Sequence, residues 1–359
     1  MPAKAKAPLT YADAGIDLDR YDDFIGALGS HMRRTHGPRV IDNAGGFAGL
    51  FRLDYNQKLF KRNYKDPVLV ACADGVGTKI RLAQEAKKFD TLGIDLVAMN
   101  VNDLIVQGAE PLIFLDYIAL PHVDRELLLA LVSGIAKGCQ IAGCALLGGE
   151  TAEMSDLYAE GDFDLAGFSV GVVELKRATD PLRVKPDDVV IGLESSGVHS
   201  NGYTLVRAIL KRAKLKLDKV YPELDEKRTL AEVLLEPTRI YADAIVRLQR
   251  GYKVKKVISG MAHITGGGIA DNLERALPKK VDAVLDRKAW PVPPVFDFLQ
   301  KHGDVEQAEM DRVFNMGLGY CLIVRPTFAD SIVERLTKLG EKPHVIGKIT
   351  KGKGNAKIK

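Results

Sequence analysis

The sequence predicts a mixed α/β (α+β) protein of two domains. Three observations carry that expectation. The chain has 359 residues, enough for two cores of ordinary size. Short β-rich runs alternate with stretches of helical period along its whole length. The strand–loop–helix pattern begins again after a polar segment containing Pro181 and Pro186, which places a domain boundary near 175 and divides the chain into 1–175 and 176–359.

In order, residues 11–36 are charged and partly helical, and VIDNAGGFAGLF (40–51) is a glycine-rich stretch suited to a mobile cover. PVLVACA (67–73) reads as a buried strand leading into DGVGTK (74–79), followed by a helix at 80–88. The stretch 91–108 reads as a second helix, ended by Gly108 and Pro111. A strand at 111–120, a helix at 124–142, and strands at 144–150 and 164–174 complete the first half. In the second half, 188–210 and 257–277 each read strand, loop, helix, and 314–325 supplies a late strand.

Composition excludes several classes. No apolar run reaches the ~18 residues of a membrane helix, and MPAKAKAPLT lacks the apolar core of a secretion signal. The four cysteines form no C-x-x-C pair, consistent with reduced thiols and a cytoplasmic location. The formal charge is +4, but six lysines lie in tails without acids. Without them the body has 45 basic against 47 acidic residues and shows no nucleic-acid footprint. Both tails, 1–8 and 351–359, read as solvated and dispensable.

The chemistry concentrates around DGVGTK. Its order differs from the usual phosphate loop, G-x-x-x-x-G-K-[ST], and it opens with an acid. Gly75 and Gly77 would let the backbone approach a phosphate, with Thr78 beside them and Lys79 as a point cation. Asp74, at a strand end, would hold the bridging metal. On the 91–108 helix, Asp95, Asn102 and Asp103 share one stripe by their i, i+7, i+8 spacing. That stripe suits either a hard-cation site or a solvated or arginine-paired face. Glu150 ends a strand; Thr151 and Glu153 can also simply begin a helix. His199 and His263 precede helices in polar, glycine-containing loops, as groove residues or as satisfied structural histidines.

Ten motifs in order carry a specific resemblance: YADAGIDLD, GGFAGLF, DGVGTK, GIDLVAMNVNDLIVQGAEPLIFLDY, GGETAEM, LAGFSVGVVE, SSGVHSNGY, LLEPTRIY, HITGGG and FNMGLGY. From about residue 10 to 350 the chain resembles the phosphoribosylformylglycinamidine cyclo-ligases, or aminoimidazole ribonucleotide synthetases, of purine biosynthesis. The resemblance implies ATP-dependent closure of formylglycinamidine ribonucleotide to aminoimidazole ribonucleotide, with ADP and phosphate released. It implies an ATP-binding, dimerising N-terminal domain whose strands form one barrel with those of a second copy. A C-terminal α/β domain would complete the groove. By motif match, Asp74, Asp103 and Glu150 would serve Mg²⁺-ATP, with Thr78, Lys79, Asp95 and Asn102 as neighbours. His199 and His263 would lie near the ribonucleotide, one of them as general base. The chain departs from the family pattern at Leu28-Gly29-Ser30, at Asp42 to Ala44, and at Ser155-Asp156. A selenophosphate synthetase-like activity is the alternative. It generally needs an N-terminal Cys or selenocysteine, whereas the first cysteine here is Cys72, inside a predicted strand.

Overall fold

A computed structural model describes residues 28–42, 48–54, 64–252 and 256–359. Tail 1–8, the YADAGIDLD motif and the centre of the glycine-rich stretch, 43–47, lie outside the described residues. What is described of that stretch is a two-residue ladder, β1 (Val40–Ile41) against β2 (Leu50–Phe51).

The first half is built on a four-stranded sheet of β3 (Pro67–Gly75), β4 (Glu110–Leu120), β5 (Ala145–Glu153) and β6 (Asp164–Glu174), in spatial order β3-β6-β4-β5. β4 and β5 run parallel, and β6 is antiparallel to both of its neighbours. One face is covered by α2 (Leu92–Val106), which follows the short α1 (Lys79–Ala86), and α2 is backed by α3 (Arg125–Ala142). Asp124 starts α3 by accepting from the N–H groups of Glu126 and Leu127, and Gly143 ends it at φ +74°. The two helices approach at glycines: a Cβ on Gly93 would stand 2.2 Å from Ile135 N.

α2 is apolar nearly all round because it is packed on several sides, by the sheet, by α3 and by the second half. The opposite face of the sheet keeps its apolar side chains in the open. Leu69 is 62 % exposed, Phe168 44 % and Leu115 37 %.

The second half is a six-stranded sheet in the order β12-β9-β11-β7-β10-β8, with β7 Val189–Glu194, β8 Ile258–His263, β9 Val281–Leu285, β10 Leu318–Val324, β11 Pro343–Lys351 and β12 Ala356–Ile358. All its pairings are antiparallel except β12 with β9. Alternating strands and helices give a parallel β4–α3–β5 crossover in the first half but mostly antiparallel neighbours in the second, and the fold is of the α+β kind. β10 is buried at every position, as its unbroken apolar sequence requires.

Two expectations are corrected here. Glu153 does not begin a helix: β5 runs through it, and its carboxylate accepts from Val123 N at 2.7 Å. Residues 351–359 are not a loose tail. β12 closes the sheet edge, and Asp282 accepts from the N–H groups of Lys353, Gly354 and Asn355 and from Lys357 Nζ at 2.9 Å. Of the lysines that looked like solvated basic residues, Lys357 is held through its ammonium and Lys353 through its backbone N–H by one carboxylate, itself drawn well below the usual range by those donors.

Candidate active site

β3 delivers Asp74 to the junction between the halves, and α2 delivers its polar stripe to the same junction. The stripe divides into two kinds of site. Asp95 is fully buried, and its Oδ1 accepts from Lys79 Nζ at 2.9 Å, Thr238 N at 2.7 Å, Thr238 Oγ1 at 2.7 Å and Ser200 Oγ at 3.1 Å. Lys79, also fully buried, gives its remaining protons to the carbonyls of His199 and Glu236, both at 2.9 Å. Asn102 donates to Arg239 O at 2.8 Å and accepts from Tyr241 N at 3.0 Å. Apart from the Lys79–Asp95 pair itself, these partners all belong to the second half.

The expectation that Lys79, Asp95 and Asn102 contact ATP is therefore corrected. An ammonium has three protons. Those of Lys79 are spent inside the protein, and burial draws its pKa down. The solvated or arginine-paired reading of the stripe fails as well, because Asp95 is paired to a buried lysine.

The second kind of site is the open end of the stripe. Asp103 Oδ1 meets His263 Nδ1 at 2.8 Å, with the Asp103 side chain 44 % exposed and that of His263 1 %. Asp74 lies near Asp103, and burial, then the neighbouring Asp103 charge, push its carboxyl up against the hydrogen bond from Gly75 N. Asn100 ties the strand to the helix by donating to Asp74 O at 3.2 Å. Beneath them Cys72 Sγ lies 3.0 Å from Asn100 O and 3.1 Å from Ser169 Oγ, and burial pushes the thiol up. Cys72, Asp103, His263 and Arg275 line a cavity of about 320 Å³ between the halves. Sequence reasoning overlooked Cys72, Asn100 and Arg275. Asn100 was within reach of it, standing three residues before Asp103 on the same helix.

His199 lies deeper. Its backbone is left-handed at φ +67°, and a Cβ on Gly319 would stand 2.4 Å from its Cε1. Its Nε2 accepts from Ser196 N at 3.1 Å, which leaves the ring proton on Nδ1. Burial first, then His263, Lys79 and Arg239, hold its pKa well below the ordinary value. His199 is a neutral hydrogen-bond donor, and the expectation of a general base at this position is corrected.

Gly77 adopts φ +66° with open space around it, and a Cβ on Gly75 would sit 3.0 Å from Leu165 O. Thr78 Oγ1 lies 3.2 Å from Thr204 Oγ1.

Glu150 does not join this group. Asp74 is in register with Gly167, Gly167 with Asp116, and Asp116 with Gly149. Glu150 is the next residue, so it points to the opposite face of the sheet. β5 is also three strand spacings from β3, roughly 14 Å. Among the described residues no three His, Cys, Asp or Glu side chains gather as a metal would need. The chain does bring two acids together, Asp74 and Asp103. That pair suits Mg²⁺, which takes one or two carboxylates and completes its shell with phosphate oxygens and water. The expected triad with Glu150 does not form within the chain. A further acid not anticipated is Asp116, whose carboxyl burial pushes up to about 7.

Comparison with known proteins defines the class first. Residues 59–173 match the family described as AIR synthase related protein, N-terminal domain, and residues 185–359 match its C-terminal domain. A phosphoribosylformylglycinamidine cyclo-ligase of Syntrophus aciditrophicus is 49% identical over 346 residues, covering 96% of each chain. One from Geobacillus kaustophilus is 48% identical over 345 residues, again covering 96% of each. The chain belongs to the phosphoribosylformylglycinamidine cyclo-ligase family, ligases of purine biosynthesis. Its fold is shared with thiamine-monophosphate kinase from Stenotrophomonas maltophilia, with a TM-score of 0.66 at 17% identity over 92% of this chain and 95% of that one. It is also shared with the hydrogenase maturation protein HypE solved in complex with ATP, with a TM-score of 0.63 at 16% identity over 91% and 88% of the two chains.

Proposed function

We propose that this chain closes the imidazole ring of formylglycinamidine ribonucleotide at the expense of ATP, forming aminoimidazole ribonucleotide, ADP and phosphate. Near-half identity to cyclo-ligases over almost the whole chain carries the reading. ATP phosphorylates the formyl amide oxygen. The amidine nitrogen of the same molecule then attacks the activated carbon, and phosphate leaves. Asp74 and Asp103 are the residues that would hold Mg²⁺, which when bound neutralises phosphate charge. Gly75, Gly77 and Thr78 follow Asp74 directly in the chain and are the backbone and hydroxyl groups that would meet the phosphates.

The chain's own groups supply proton handling and orientation. Asp103 faces His263 Nδ1, and with the ring proton on that nitrogen, Nε2 carries the lone pair. Nε2 is buried and has no partner among the described residues. It is the proposed general base that takes the amidine proton. The neutral His199 carries its proton on Nδ1, also buried and without a partner among the described residues, and would donate it to the substrate. Holding the substrate folded for intramolecular attack can contribute ~7–11 kcal/mol. The functional division falls at 175, with residues 1–175 binding ATP and 176–359 completing the groove.

The second part of the reading is a cytoplasmic homodimer. Leu69, Leu115 and Phe168 share the face of the first sheet that no helix among the described residues covers. A second copy packing there, with the two sheets closing into a barrel, removes that apolar surface and the sheet edges from water.

The test is phosphate release from ATP with and without formylglycinamidine ribonucleotide. Release that depends on that substrate and tracks aminoimidazole ribonucleotide formation is expected. Release at the same rate without it overturns the reading. Sedimentation at micromolar protein showing only a 39.2 kDa species would remove the dimer.

A further inference from the structure

A second and larger cavity, about 560 Å³, opens at the other end of the junction. β3 spans the two ends: its first residue, Pro67, pairs with Glu174 on the rim of this cavity, and Asp74 lies seven residues on, roughly 23 Å away. Arg39, Arg177, Arg183, Arg250 and Lys256 line the cavity, against two carboxylates, Glu110 and Glu174.

Both acids are already engaged. Glu110 takes Arg250 at 2.5 Å and lies 3.9 Å from Arg39, and Glu174 accepts from the N–H groups of Lys65 and Asp66. Arg183 donates to Lys256 O at 3.0 Å and makes no ion pair with a described carboxylate, and Lys256 makes none either. Burial and the nearby Arg183 draw the Lys256 pKa down; Asp180 opposes this and Arg177 adds to it. Arg183 and Lys256 thus bring positive charge to the cavity wall that no ion pair with a described carboxylate takes up. Val172, Val257 and Ile258 form an apolar wall, and Tyr64 and Tyr252 add ring edges. A cavity of this size, part apolar, with convergent cations of one sign, has the make-up of a small-molecule site for an anion.

We propose that this cavity binds a phosphorylated small molecule at a site separate from the Asp74–Asp103–His263 group. Its walls come from both halves: Arg39, Tyr64 and Glu174 from the first, Arg250, Tyr252 and Lys256 from the second. An occupant therefore bridges the halves. Thr179 lines both cavities, so the bridge reaches the wall of the site at the other end.

Binding at this cavity does not depend on the reaction and is measured without it, with turnover as a separate control. Calorimetric titration of the full chain with inorganic pyrophosphate, with divalent cations chelated, is expected to show saturable binding. Double charge reversal, Arg183→Glu with Lys256→Glu, should weaken it at least about tenfold, and Arg183→Gln with Lys256→Gln by about threefold or more. Asp103→Asn should leave it unchanged. The charge-reversed enzyme should keep kcat and KM within about twofold of the parent. Four results would each overturn the proposal: no binding at millimolar pyrophosphate, an isotherm indifferent to both double substitutions, binding abolished by Asp103→Asn, or a tenfold rise in substrate KM on charge reversal.

Discussion

Asp95 and Asp103 stand on one stripe of one helix, eight residues apart, and do opposite work. Asp95 is sealed between the halves, where Lys79, Ser200 and Thr238 satisfy its charge. Asp103 faces a cavity, shares its neighbourhood with a second carboxylate, and orients a histidine. The difference between them is access. A carboxylate sealed in the interior against a buried lysine fastens a fold, whereas one that opens on a cavity can hold a metal or steer a proton.

The sharpest way to break this comparison is Lys79→Met. It strands the buried Asp95 charge and should cost ~3–5 kcal/mol of stability, read by urea unfolding. If Lys79 were instead a phosphate contact, the variant would unfold like the parent and lose only ATP affinity. Next comes Asp116→Asn. The folded pKa of about 7 lies above the ordinary carboxyl value of 3.8. Ionising Asp116 therefore costs stability, and the cost grows as pH rises from about 4 through 7. The variant should be more stable than the parent at pH 8, by at most ~4 kcal/mol, and should match it near pH 4. Paired melts at the two pH values read this, and an equal offset at both would remove the titration from the account.

Asp103→Asn addresses the open end. Turnover should fall by more than ~100-fold, about 2.7 kcal/mol of barrier, with an unfolding curve close to the parent's. Asp74→Asn should behave alike. The double variant should cost much less than the product of the two, because both act on one metal. An active Asp74→Asn enzyme with its Mg²⁺ requirement intact would take Asp74 out of the site. The smallest effect belongs to Arg247→Ala, which breaks an ion pair to Asp243 whose two side chains are 58% and 59% exposed. It should shift stability by less than ~0.5 kcal/mol, the floor against which the buried pair is measured.

The C-terminal segment offers a second contrast, between composition and contact. Read as composition, 351–359 is a basic tail. Its backbone N–H groups converge on Asp282, some 70 residues earlier in the chain. Deleting it should lower the melting temperature, and an unchanged melt would return it to the status of a tail.

By itself the sequence determined the local elements: apolar runs of strand length, the caps and glycines that bound α3, the acids gathered around DGVGTK, and ten ordered motifs specific enough to show the family. Those features are encoded within a few residues of one another, or by similarity. Only the tertiary structure decided what each polar residue is for. Lys79 is a phosphate contact or a fastening according to whether Asp95, His199 O and Glu236 O surround it. Glu150 is a metal ligand or a bystander according to strand order and side-chain parity, and His199 a base or a donor according to which nitrogen Ser196 occupies. Strand order, burial and hydrogen-bond partnership arise from contacts between residues far apart in the chain, and periodicity along the chain cannot encode them.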